Sequence, residues 1–486
     1  MGTAGKSWKL SLAGEATVCV APTLRQMTPY VLLEQEDWFE DEIRFIRRWV
    51  EPGMAVLDIG ANHGVYALSM AARLGPGRVW AFEPTAMPRE KLIESIAENR
   101  FGDTVTVIPA ALSDSARDAP MAVAEDSELN TLHGGTGRTE MVRVRTLDAC
   151  AAEYFPDVRI DFVKLDAEEE ELAILRGGAR VFAEQSPLVM FEAIRGDAVS
   201  AALLDAFRAL GYGLFFLAPE AGVLLPYREG QGECLNLFAC KPDRAETLRA
   251  RGLLLSWDDV AREAGDFLPR LPVVLARLEM LPFAAPWIDG WSAACLGGAV
   301  PQAYAAALAA ALEAADATAA PERRLRLWLA GWESLGGLPP QQAARAEVGL
   351  LKLHFLHALG NRDAAVALAA DMERRRGLTD WPVMWPVLPP LPESLARVST
   401  LPPGEWAGFR VAEFITLQVA HSSYFDLRGF LQRLPLHVRD PDRLPRTGRM
   451  MVLLLAKGLH RFCRDEALSF PRNRAAWRDV ADGIIG

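Results

Sequence analysis

Between residues 55 and 240 the chain alternates short β-branched runs with amphipathic stretches, and this alternation limits the fold more than any other feature. Ala55–Ile59 (AVLDI), Arg78–Phe82 (RVWAF), Val105–Pro109 (VTVIP), Ile160–Leu165 (IDFVKL) and Leu188–Phe191 (LVMF) read as strands. Gly64–Arg73, Pro88–Asn99, Glu168–Phe182 and Ala198–Leu210 read as the helices around them. An irregular stretch after the third strand holds one additional strand, Met141–Arg145. Apolar strands joined through helices make a parallel sheet covered on both faces. Gly213–Leu217 and Leu235–Cys240 follow without a helix between them, which predicts an antiparallel pair at one edge.

Beyond about residue 250 strand signals nearly vanish, and Ala, Leu, Arg and Trp dominate. Gln302–Ala314, Glu322–Leu335, Pro340–Leu359, Arg362–Arg376, Phe409–His421, Phe425–Arg433 and Met450–Cys463 read as helices. The pair that meets at Ala358–Asn361 resembles one helix-turn-helix of a tetratricopeptide array, although no 34-residue period repeats. Thr379–Pro403 holds seven prolines and cannot be a continuous helix, so it reads as an ordered strap. Trp381, Met384 and Trp385 in it call for burial, and the same two tryptophans are the candidates for a surface role. The chain thus divides into a lead-in (1–54), an α/β domain (55–250) and an all-α domain (255–486).

Charge follows this division. Residues 1–250 carry 25 Lys and Arg against 38 Asp and Glu, a net −13, whereas residues 251–486 carry 27 against 25, a net +2. The acidic half is a poor match for a phosphate backbone, so nucleic acid is excluded as a partner. The opposite balances favour docking of the two halves or pairing with a protein or a second copy through the helical half. No run approaches the ~18 apolar residues of a membrane span. The N-terminus is interrupted by Gly14 and Glu15 and lacks a signal-peptide pattern, and Lys6 breaks a myristoylation motif. The six cysteines form no CxxC pair, which points to free buried thiols in a reducing cytoplasm.

The chemistry concentrates at Val56–Tyr66 (VLDIGANHGVY), where a buried strand ends in Asp58 and a turn through Gly60 and Gly64 leads into a helix. Glycine lets a ligand approach the backbone, and a helix N-terminus offers free N–H groups. The spacing is neither GxGxxG nor a phosphate-binding Walker loop. Glu83 ends the second strand about 20 residues on, where an acidic group accepts hydrogen bonds from a ribose diol. A nucleoside bearing a carboxylate rather than a pyrophosphate suits this pair, and S-adenosylmethionine is such a ligand.

Further motifs follow in order: Tyr30–Leu32, Asp58–Asn62 (DIGAN), Phe82–Pro84 (FEP), Ala111–Asp114 (ALSD), Thr146–Asp148 (TLD), Val163–Glu168 (VKLDAE) and Glu192. Together they resemble the FkbM family of S-adenosylmethionine-dependent methyltransferases over about Tyr30–Cys240. The resemblance implies a class I methyltransferase fold: a Rossmann-like α/β sheet of seven strands with a reversed edge strand. It implies O-methylation of hydroxyls on sugars, glycans or secondary metabolites. Carried over by position, Asp58, Gly60, Asn62 and Gly64 surround the methionine end of the cofactor and Glu83 holds the ribose. Ala111, Ser113 and Asp114 lie near the adenine. Asp166, Glu168 and Glu192 stand where donor and acceptor meet.

One position departs from the pattern. The family reads Asp-x-Glu-Gly-x-Glu, and Glu169 replaces the glycine. If the position needs positive φ, Glu169 is strained. If it opens a helix, an acidic first turn gains ~0.3–1 kcal/mol. Glu169 and Glu170 read as a solvated acidic face. The acceptor proton calls for a base, and Asp166, Glu168, Glu192 and His133 are the candidates, His133 within a polar loop (126–137) that covers the site. A divalent cation on Asp166, Glu168 and Glu192 is an open alternative. His354 and His357 share a helix face and read as packing or surface groups. A methyltransferase-derived scaffold without turnover is the competing reading.

Overall fold

The computed structural model describes residues 7–124, 127, 130–133, 138–195, 198–228, 236–262, 271–280, 284–376, 383–388, 411 and 472–481. The chain opens with a hairpin, β1 (Trp8–Leu12) and β2 (Ala16–Val20), then helices α1 (Met27–Gln35) and α2 (Glu42–Trp49). Alternation begins with β3 (Ala55–Ile59), α3 (Val65–Leu74), β4 (Arg78–Phe82), α4 (Ala86–Asn99) and β5 (Val105–Ile108). A small sheet follows: β6 (Ala111–Leu112), β7 (Arg117–Val123) and β8 (Arg138–Arg145). Next come α5 (Leu147–Tyr154), β9 (Phe162–Leu165), α6 (Glu171–Gly177), α7 (Ala179–Glu184) and β10 (Leu188–Glu192). A short pair, β11 (Ile194–Arg195) and β12 (Ala198–Val199), precedes α8 (Ala201–Ala209). The sheet is completed by β13 (Gly213–Ala218), β14 (Val223–Pro226) and β15 (Asn236–Cys240), and α9 (Pro242–Ala250) follows.

The main sheet has eight strands in the order β14-β13-β15-β10-β9-β3-β4-β5. β5, β4, β3, β9 and β10 run parallel, and β15 is antiparallel to both its neighbours. That is the class I methyltransferase order with its one reversed inner strand, plus β14 added outside β13. The expected antiparallel pair exists, with its reversed strand inside the sheet, and the edge strand β14 is reversed as well. β15 inserts between β10 and β13, and β14, which turns back from β13, takes the edge.

Alternate side chains of each strand enter different cores, as a pleat requires. Leu57, Ile59, Phe82, Val163, Leu165, Phe191 and Phe216 face one, which continues into the helical half through Tyr304 and Trp328. Val56, Val79, Ala81, Phe162, Met190 and Phe238 face the other, packed by β1, β2 and the helices of the lead-in.

The helical half consists of α10 (Trp257–Arg262), α11 (Leu271–Glu279), α12 (Ile288–Leu296), α13 (Gln302–Ala314), α14 (Pro321–Gly336), α15 (Pro340–Ala343), α16 (Ala346–Ala358), α17 (Arg362–Arg376) and α18 (Arg474–Ala481). The expected helix Pro340–Leu359 is split, because the chain turns at Ala344–Arg345 before α16. The helices expected within 409–463 lie outside the described residues, as does Trp381.

The division at residue 250 does not coincide with a packing boundary. Leu253 and Leu255 bond to Leu224 of β14, and Trp477 of α18 is buried in the core beneath the first hairpin. Asn473 accepts from Ser11 N (2.8 Å) and donates to Leu32 O (2.9 Å), so the last described helix closes on the first hairpin. The lead-in is therefore part of the α/β unit. Trp385 is buried rather than on the surface, against the Tyr304 ring (5.0 Å between centroids) and under the Arg345 guanidinium (4.3 Å). Met384 is exposed instead, since its backbone N–H is held by Glu347 Oε1 (2.8 Å) while its side chain turns outward. Among the described residues no helix is long and apolar enough to cross a membrane.

Candidate functional site

A cleft opens at the carboxyl ends of β3, β4 and β9. Ile59 is in register with Phe82 and with Leu165, so the chain leaves three neighbouring strands at one level. Gly60, Glu83 and Asp166, the next residues, therefore stand together and all line the cleft. Position 60 excludes a side chain. Its φ is +77°, and a Cβ would lie 1.8 Å from the Asp166 carbonyl oxygen. Asn62 (φ +48°) and Gly64 (φ +83°) keep the turn in the left-handed region until α3 begins. Asn62 and His63 line the cleft, and Gly64 does not. The missing Gly64 side chain makes room for Leu92 of α4, whose Cδ1 is 2.2 Å from where a Cβ would be. His63 is buried, neither ring nitrogen has a hydrogen-bond partner among the described residues, and burial lowers its pKa to about 4.

Glu83 is clamped by the turn it was expected to serve. Asn62 N donates to one carboxylate oxygen (2.9 Å), and Thr85 donates to the other through N (2.8 Å) and Oγ1. Burial raises its pKa despite these donors. Asp58 lies below the turn and does not line the cleft. It is fully buried, and neither oxygen has a hydrogen-bond partner among the described residues. Lys164 Nζ stands 3.9 Å away. Burial pushes the Asp58 pKa up to about 6 against the pull of that lysine. Lys164 is 2.9 Å from Asp166 Oδ2 and lies over the Tyr66 ring (5.1 Å). Burial opposes its charge, yet Asp166 and Asp58 hold its pKa above the ordinary lysine value.

Asp166, Glu168 and Glu192 are brought to the cleft together. Burial, followed by the charges of Asp166 and Glu168, pushes the Glu192 pKa up to about 10, so this carboxyl holds its proton at neutral pH. Among the described residues no three His, Cys, Asp or Glu side chains converge as metal ligands do. Ala111 lines the cleft with Ala110 and Leu112. Ser113 and Asp114 do not. Ser113 N is drawn to Arg145 O (2.9 Å) in the small sheet, and Asp114 faces solvent, accepting from Ser115 Oγ (2.9 Å).

The position of Glu169 does require positive φ (+76°), and Glu168 also has φ +43°. The two left-handed residues delay the helix, which starts at Glu171 rather than Glu168 and breaks at Gly178 before α7. Glu170 is buried rather than solvated, and His133 Nε2 lies 3.0 Å from its Oε1. The described residues Ser127, Asn130 and Leu132 of the loop carrying His133 line the cleft, and His133 does not: Ser127 Oγ donates to Asn62 Oδ1 (3.0 Å) and Asn130 Nδ2 to Thr85 Oγ1 (3.3 Å). His357 is 3.8 Å from both Asp41 and Glu220, and His354 packs edge-on to Phe355.

Three contributors were not legible as site residues. Glu40, from the lead-in, accepts from Trp38 Nε1 (2.7 Å), Tyr66 Oη (2.6 Å) and Asn236 Nδ2 (3.0 Å). Asn236, the first residue of the reversed strand, pairs with Glu192 of β10. Arg362, the first residue of α17, reaches the same cleft.

Residues 58–214 match the methyltransferase FkbM domain, over the turn, Glu83 and the acidic edge just described. This segment belongs to the FkbM methyltransferase family. The AMB antimetabolite synthetase AmbE of Pseudomonas aeruginosa is 26% identical over 295 residues, covering 48% of this chain and 13% of that protein. The methyltransferase sdnD of Sordaria araneosa is 27% identical over 154 residues, covering 25% and 59%. The chain thus spans less than two thirds of the length of either relative. Among solved structures, the methyltransferase FkbM of Methylobacillus flagellatus is 18% identical with a TM-score of 0.27, over 39% of this chain and 43% of that one. At a score this low the fold of the FkbM domain rests on its own strand order.

Proposed function

We propose that the chain transfers a methyl group from S-adenosylmethionine to a hydroxyl of a sugar, glycan or glycosylated metabolite. The observation that carries this reading is Glu83 standing beside the Gly60–Asn62 turn with Asp166 and Glu168 across the same cleft. The residues suit the cofactor. A carboxylate has about four acceptor sites, and three donors engage Glu83, which leaves one for a ribose hydroxyl. The glycine at 60 keeps the backbone open to the methionine portion. Ala110, Ala111 and Leu112 offer an apolar wall for the base.

When bound, S-adenosylmethionine supplies an electrophilic methyl on a sulfonium. The chain must align an acceptor oxygen and take its proton. Asp166 and Glu168 are the carboxylates for that proton, with Lys164 fixing Asp166. Glu192, which retains its own proton, donates a hydrogen bond to the acceptor. The reaction is assigned to the cytoplasm, where buried Cys19, Cys150, Cys240 and Cys295 stay reduced.

A cofactor-binding scaffold is the second reading, favoured by one observation: Glu169 occupies a left-handed position that the family fills with glycine. Calorimetry with S-adenosylmethionine and a labelled-methyl transfer assay on glycan fractions separate the two. The proposed enzyme binds the cofactor and labels an acceptor, whereas the scaffold only binds it. Glu83→Gln should weaken cofactor binding by roughly 10–100-fold, the value of a charge-assisted hydrogen bond. Unchanged affinity would refute the ribose role.

A further inference from the structure

A second cleft continues from the first. Phe39, Glu40, Asn236 and Arg362 line both, so the two are joined at that level. Three separate parts of the chain wall the second cleft: the lead-in at Phe39–Glu42, the end of β13 at Leu217, and the turn between α16 and α17 with His357. The last wall is rigidly placed. Gly360 has φ +80°, and a Cβ there would lie 2.5 Å from the Leu217 carbonyl oxygen. The helical turn therefore abuts the sheet backbone to backbone, and Arg362, two residues later, is aimed by that joint rather than by a free loop.

Resting on the methyl-transfer reading above, we propose that this second cleft binds the part of a carbohydrate acceptor remote from the methylated hydroxyl, making Arg362 and Phe39 its specificity residues. A sugar ring presents an apolar C–H face and a rim of hydroxyls. Phe39 supplies an aromatic face, half-buried beside Trp38 (5.2 Å between centroids). Arg362 supplies a planar fork of donors, and Glu40 and Asn236, already bonded to each other, supply fixed polar groups at the junction. Arg362 lies 3.6 Å from Asp363 and moderates Glu42, whose pKa burial, Glu40 and Asp41 push up to about 8. Glu40, Asp41 and Glu42 line the cleft beside Arg362 and His357, which disfavours an anion and offers acceptors as well as donors to a polyhydroxyl ligand. The helical half then acts as the length gauge of the enzyme: monosaccharides reach only the first cleft, and longer acceptors reach both.

Saturation-transfer NMR on the full chain with S-adenosylhomocysteine tests this, using methyl hexosides and their di- and trisaccharides. The trisaccharides should bind at least tenfold tighter than the monosaccharides. Because both residues also border the first cleft, the readout is the difference between probes: Arg362→Ala and Phe39→Ala should each weaken trisaccharide binding about tenfold more than they weaken monosaccharide binding. Equal affinity for one and three sugars, variants indistinguishable from the parent, or binding of only phosphorylated or amine-bearing probes overturns the proposal. Failure to bind S-adenosylhomocysteine refutes the methyl-transfer reading instead.

Discussion

Asp58→Asn should stabilise the chain at pH 7 relative to pH 4, measured against the parent at each pH. The Asp58 carboxyl is fully buried without a hydrogen-bond partner among the described residues, and its pKa stands at about 6 against an ordinary value of 3.8. A folded-state pKa raised above the unfolded one means that the native state holds the proton more tightly. The contribution to stability is then fully present below the unfolded pKa and is lost as pH climbs through the folded pKa. Two units correspond to roughly 3 kcal/mol, of which about 2–3 kcal/mol falls between pH 4 and pH 7. Asparagine cannot titrate, so the difference between variant and parent should grow by that amount across the window. Lys164, with a pKa above the ordinary lysine value, stays charged throughout and cancels. Urea unfolding of both proteins at half-unit steps of pH supplies the curve. A difference that is flat, or that shrinks as pH rises, would show that Asp58 is ionised and well solvated in the native state, and the reasoning would fail.

Gly60→Ala forces a Cβ to 1.8 Å from the Asp166 carbonyl at φ +77°, and should cost roughly 2–5 kcal/mol from left-handed strain plus overpacking. A loss below 1 kcal/mol in urea unfolding would contradict the close approach of β3 to β9. Glu169→Gly relieves a side chain at φ +76° and should gain about 1 kcal/mol, so a lowered urea midpoint would refute the left-handed assignment. Glu347→Ala removes a fully buried carboxylate that accepts from Met384 N (2.8 Å), Trp385 N (3.1 Å) and Arg345. The strap at 383–388 should then be cut by protease several times faster than in the parent, and equal rates would exclude Glu347 as its anchor.

The parts of this protein legible in the sequence are those fixed by neighbours along the chain. β3 and β4 match their predicted bounds, as do α13 and α17, because pleat alternation and helical periodicity are written into consecutive side chains. Gly60 and Glu83 were legible for the same reason: each is the first residue after a buried strand. Errors arose where the local pattern was indifferent to the outcome. Glu170 sits in a run of four glutamates, yet it is buried in the fold, with His133 from another loop 3.0 Å from its Oε1. Ser113 follows Ala111 by two residues, yet the small sheet turns it away from the cleft.

Tertiary structure alone decided the remainder. The reversed strand's place between β10 and β13 is a matter of which edges pair, and pairing leaves no trace in composition. Glu40 lies in the lead-in and Arg362 in the helical half, yet both meet Asn236 in one cleft, and the approach of Gly360 to Leu217 sets that meeting. Glu192 is a candidate base by type and position, but burial among other carboxylates makes it a proton holder. Residue identity specifies what a group is able to do. Desolvation and the charges folded against it determine its protonation state, and both depend on contacts remote in sequence.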